Sequence, residues 1–201
     1  MIAAPERSGG SSRELIVNEL VRAREDYLKS ASPYYDQALA EVASRADRDG
    51  SLGKLDLGGL LLWKRLGDYR KWALPLNRMS DEEVRQITGE ALEAARDDES
   101  GTPEAAARGR DKLRLLPGCV QGTGAWPSTI LLAAAPQRMA VYDSRAHIGL
   151  KKLGYQVGDR ISYGPYMAAI EALRDMLADS GRIWLARDVD LALYQLGGPS
   201  T

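Results

Sequence analysis

Residues 113–154 constrain this chain more than any other stretch. Apolar residues at helical spacing run up to Leu116, three glycines (Gly118, Gly122, Gly124) follow, and a second apolar run continues through Ile130, Leu131 and Leu132. Pro127 stands near the start of that second run, where a helix tolerates the missing N–H. Asp143, seventeen residues after Trp126, opens a third helical run. The pattern reads as a helix, a glycine hairpin, a second helix and an aspartate at the head of another. A glycine hairpin lets backbone N–H groups approach an anion closely, because no Cβ stands in the way.

The rest of the chain is also helical in pattern. Residues 1–12, rich in Ser and Gly, read as a disordered N-terminus. An apolar stripe through Leu15, Val17, Leu20, Val21 and Leu28 predicts a helix over 13–30. Pro33 fits the first turn of a second helix ending near Arg48, and Asp56 fits the cap of a short apolar helix ending at Trp63-Lys64-Arg65. Pro75 interrupts the pattern. Ser80 and Glu83 form a capping box for a helix to about Arg96, and Thr102-Pro103 starts the first helix of the hairpin unit. Further helices are predicted to about Leu153, from about Tyr163 to Asp179, and from about Asp188 to Leu196. No run founds a sheet, since Met139-Ala140-Val141-Tyr142 is short and isolated. The expectation is an all-α fold of roughly eight helices. It would form a single domain over 13–201 with two helical lobes and the hairpin unit at about 103–153.

Of the 201 residues, 44% are apolar, enough for a core without covalent staples. Cys119 is the only cysteine, so no internal disulfide forms, which fits a reducing compartment. The first twelve residues lack the apolar core of a signal peptide, and no apolar run approaches a membrane span. The expected location is cytoplasmic, with no membrane partner. Net charge is −1, but residues 101–165 carry nine basic and four acidic side chains. Positive charge therefore gathers around the hairpin, as either a nucleic-acid contact or an ordinary solvated face.

Asp143 is the strongest chemical candidate. Its position also suits an N-cap, and one carboxylate can serve both roles. His147, the only histidine, lies four residues on and shares a helical face with it. A lone histidine also fits a purely structural place. One histidine and one cysteine build no zinc site. Gly122-Thr123-Gly124 follows no strand, which excludes a dinucleotide fingerprint, and no Walker loop is present.

Leu116-Pro117-Gly118, then Gly122-Thr123-Gly124-Ala125-Trp126, and later Val141-Tyr142-Asp143-Ser144-Arg145 resemble the motifs of the helix-hairpin-helix (HhH-GPD) DNA glycosylase superfamily. Around Leu55-Asp56-Leu57, Trp63-Lys64-Arg65 and 187–194 the chain resembles compact bacterial proteins distantly related to 8-oxoguanine glycosylases. The specific motifs span about a fifth of the chain, and the hairpin carries extra residues (Cys119-Val120-Gln121) relative to the family pattern. The resemblance implies duplex DNA as partner and an HhH-GPD glycosylase-like fold. Gly118, Gly122, Thr123, Gly124, Arg145 and Lys151 would contact DNA. Asp143 would be the catalytic carboxylate, and Trp126, Tyr142 and His147 would line the pocket of a flipped base. It also implies a monovalent cation on hairpin carbonyls, with no other cofactor required.

Bifunctional members place a lysine where this chain has Trp126, the residue of the 3-methyladenine branch. The implied activity is therefore base excision without strand cleavage. Trp126 equally fits a core position, and Lys64 and Arg65 fit either phosphate contacts or an amphipathic helix end. A catalytically inactive DNA-binding module stays open at this point. So does a reassigned scaffold in phage defence or nucleoside chemistry. Oligomeric state is not legible.

Overall fold

The computed structural model describes residues 10–66, 70–119, 124–159 and 161–198. Those residues form ten α-helices and one short 3-10 turn, with no sheet. In chain order they are α1 (Gly10–Ser30), α2 (Gln37–Asp49), α3 (Lys54–Lys64), α4 (Arg70–Arg78) and α5 (Asp81–Arg96). After α6 (Thr102–Lys112) and the turn Leu113–Leu115 come α7 (Ala125–Ala134), α8 (Ser144–Lys152), α9 (Tyr163–Asp179) and α10 (Ala186–Gly197). None of the described helices is long and apolar enough to cross a membrane.

The all-α expectation holds, with more helices than foreseen and several shifted starts. Residues 10–12 belong to α1 rather than to a disordered tail. Glycine and serine are tolerated there because the N–H groups of a first turn lack intrahelical partners anyway. Pro33 lies in a turn before α2, which starts only at Gln37. Asp56 does not cap α3 from outside. It sits in the first turn, buried, and accepts the Gly53 N–H at 2.8 Å. Gly101, not Thr102, is the cap of α6. Pro75 lies inside α4 rather than breaking it. It is the sixth of nine residues, and its missing N–H forgoes one bond of the ladder.

Helix α7 is the centre of the molecule. Every residue from 126 to 134 is buried, as expected for a helix that is apolar all round. Helices α2, α3, α5 and α6 pack around it. One hydrophobic cluster continues from there through α9 to α1, α8 and α10.

Two features of this packing set up the site. First, residues 139–143 run in extended form between α7 and α8, with Met139, Ala140 and Val141 fully buried. Buried backbone outside a helix needs partners, and neighbouring side chains supply them. The Tyr142 N–H donates to Ser128 Oγ at 3.0 Å, Tyr163 Oη donates to the Ala140 carbonyl at 2.7 Å, and Tyr166 Oη lies 3.1 Å from the Val141 carbonyl. Second, α8 and α10 meet backbone to backbone. A Cβ on Gly149 would strike the Leu193 carbonyl, and one on Gly197 would strike the Arg145 carbonyl. The crossing holds the head of α8 against the side chains of α10.

Candidate functional site

Asp143 ends the extended segment and caps α8. Its Oδ1 accepts the Ala146 N–H at 3.0 Å, and its Oδ2 accepts from Lys64 Nζ at 2.8 Å. Both members of this ion pair are only 14% exposed. Lys64 is the last residue of α3 and also faces the Tyr194 ring of α10, 5.6 Å from its centre. A pair this enclosed holds its geometry, because losing either partner strands a charge in a poorly solvated place.

The pair stands between two cavities. The outer one, about 570 Å³, is lined by Lys64, Asp143, Gly124, Tyr142, Arg145 and His147 among others. The inner one, about 340 Å³, shares Lys64 and Asp143 and continues to Tyr27, Tyr35, Tyr194, Arg187 and Asp190. Both fall in the size range of small-molecule sites, roughly 300–1,000 Å³.

Several expected site residues do converge. Asp143, Tyr142, His147, Gly124 and Arg145 all border the outer cavity. Tyr142 Oη and His147 Nδ1 are hydrogen-bonded at 3.1 Å. Burial, and then the charge of Lys151, push the His147 imidazole below its ordinary range, so it is neutral at pH 7. Burial likewise raises the Tyr142 phenol. The Arg145 guanidinium carbon lies over the Tyr194 ring, 3.7 Å from its centre, so the side chain is folded onto α10.

Others lie elsewhere. Trp126 is buried and stacks on Trp72 of α4 (5.0 Å between ring centres, 18° apart), and it lines neither cavity, although its neighbour Ala125 borders the outer one. Gly118 has φ +85°, and a Cβ there would press on the Trp72 and Trp126 rings. Lys151 is on the exposed side of α8, 3.5 Å from Asp159. Gly122 and Thr123 lie outside the described residues.

Of the hairpin carbonyls on which a cation was expected, that of Cys119 accepts from the buried Arg110 Nη2 at 3.1 Å, and residues 120–123 lie outside the described residues. Among the described residues no three His, Cys, Asp or Glu side chains gather to hold a metal.

Lys64 and the inner cavity were not foreseen as parts of the site. Asp190 carried no assigned role in the predicted helix from about Asp188, yet it is 2% exposed, bonded to Arg187 Nη1 at 2.6 Å, with Tyr166 Oη 3.4 Å away. A signal did exist. Asp190 falls on the same helical stripe as Ala186, Leu193 and Gly197, all buried. Lys64 likewise follows Leu57 and Leu60 at helical spacing. A charged residue on an apolar stripe marks a buried polar site.

No family model, curated protein or solved structure matches the chain.

Proposed function

We propose that the protein is a monofunctional DNA N-glycosylase, which takes a modified nucleotide out of a duplex and hydrolyses its glycosidic bond. The observation that carries this reading is Asp143. It is a carboxylate fixed by a helix N-terminus and by Lys64, bordering a cavity on either side. Departure of a base leaves positive charge on the sugar in an oxocarbenium-like transition state. A preset carboxylate stabilises that charge and can accept the proton of the attacking water. Here the sugar would stand at Asp143 and the base would enter the inner cavity, whose lining includes Tyr27, Tyr35 and Tyr194. The excess of basic side chains in 101–165 supports a polyanionic substrate.

A second reading has its own observation. Four cations near the cavities are engaged within the protein: Lys64 with Asp143, Arg65 over Tyr35, Arg145 over Tyr194 and Lys151 with Asp159. Such a mouth suits a small nucleoside better than a phosphate backbone. Release of base from labelled duplexes, run beside hydrolysis of free nucleosides, separates the two. The duplex reading requires the first and the nucleoside reading only the second.

A further inference from the structure

The outer cavity, the α1–α9 groove and the inner cavity each offer polar groups, but only the inner cavity holds a second enclosed carboxylate. It belongs to Asp190 of α10, about one turn from the Tyr194 ring that both Lys64 and Arg145 face. Resting on the glycosylase reading above, we propose that Asp190 is a second catalytic carboxylate, which protonates the departing base inside the inner cavity while Asp143 serves the sugar and the water.

Three observations converge on this. Asp190 borders the cavity that also contains Asp143 and Lys64, so one ligand can reach both acids. Its hydrogen bonding accommodates a proton. Oδ2 is taken by Arg187, while Oδ1 faces Tyr166 Oη, whose single proton has the Val141 carbonyl as a nearer acceptor. A proton on Oδ1 then donates to the tyrosine oxygen, and both groups are satisfied. Arg187, which holds Oδ2, itself borders the inner cavity, and its Nε is buried without a partner among the described residues.

The electrostatic surroundings agree. Tyr27 of α1, Lys64 of α3, Asp143 before α8, Tyr163 and Tyr166 of α9 and Arg187 of α10 face this carboxyl, with Asp36 beyond Arg187. Burial raises its pKa to about 6, and the charge of Asp143 adds to the rise against the opposing pull of Arg187. A carboxyl that keeps its proton toward neutral pH suits the role of general acid.

The step balances. The C1′–N bond breaks and its electron pair goes to the base, which takes the Asp190 proton on a ring nitrogen. Water adds to C1′ and gives a proton to Asp143. Solvent then removes that proton and restores the one on Asp190.

The test is single-turnover base release, between pH 5 and 8, from two duplexes. One carries hypoxanthine, a neutral leaving base, and the other 7-methylguanine, which already bears positive charge. For wild type the hypoxanthine rate should fall about tenfold per pH unit above about 6, whereas the 7-methylguanine rate should show no such fall. Asp190→Asn should slow hypoxanthine release roughly 100-fold or more and leave 7-methylguanine within about threefold. Equal slowing of both bases, or the same pH fall for both, overturns the assignment while leaving the glycosylase reading intact. If only one base is released, its wild-type profile decides, and that profile needs no variant to fold. Release of neither base, nor of any other from a wider panel, overturns the glycosylase reading and this inference with it.

Discussion

Lys64 Nζ lies 2.8 Å from Asp143 Oδ2, although 79 residues separate the two along the chain. The contact joins the end of α3 to the head of α8, and both cavities border it. Lys64→Met leaves an enclosed carboxylate without its partner and should cost about 3 kcal/mol in urea denaturation. Adding Asp143→Asn should recover part of that loss, since asparagine still caps α8 and no charge remains. Strictly additive losses in the double variant would mean that the pair does not hold the site.

The monofunctional reading makes a separate claim about the same lysine. A lyase would use an amine beside the sugar to form a Schiff base. The monofunctional reading requires that Lys64, paired with Asp143, forms none, so borohydride reduction during turnover should trap no protein–DNA adduct. An adduct lost in Lys64→Gln would instead make the protein a lyase that uses a lysine from α3.

Helices α8 and α10 approach without side chains between them at Gly149 and Gly197. Alanine at either position must force the helices apart, at a cost of about 3 kcal/mol. Gly58 of α3 is the control, because a Cβ there meets nothing within 4 Å. Gly58→Ala should gain roughly 0.5–1 kcal/mol through helix propensity alone. Similar denaturation midpoints for all three variants would contradict this account of the crossing.

The raised pKa of Asp190 also predicts how stability varies with pH. A carboxyl with a folded-state pKa near 6, against 3.8 in the unfolded chain, binds more protons when folded between those values. Its contribution is then fully present below about pH 4 and is lost as pH rises through 6, an effect of about 3 kcal/mol. Asp190→Asn lacks this loss. Its stability relative to wild type should therefore improve between pH 4.5 and 7 in urea titrations. A difference independent of pH would show that Asp190 titrates normally.

The sequence exposes the local parts of this arrangement and hides the long-range ones. Helix α9 was read from Tyr163 to Asp179, and α8 from Asp143, because caps and apolar spacing are local properties. The resemblance implied Trp126 as a pocket wall, but its place depends on Trp72, in a helix that Pro75 obscures. Asp143 was singled out on its motif and its cap, while its partner Lys64 was left between a phosphate contact and an amphipathic helix end, because nothing local links residue 64 to residue 143. Asp190 was legible in principle, as a charge on the buried stripe of α10. The inner cavity itself was not legible. Its walls come from α1, α3 and α10, and only the packing of the chain brings those together.

The central claim is that Asp143 drives base release, and one comparison tests it most directly. Wild-type protein and Asp143→Asn are incubated with labelled duplexes that each carry a single modified base, and alkali-sensitive strand breaks are scored. The account predicts breaks with wild type at one or more bases, none before alkali, and a loss of roughly 100-fold or more in the variant. Undiminished breaks with Asp143→Asn, or none with wild type on any duplex, would contradict it.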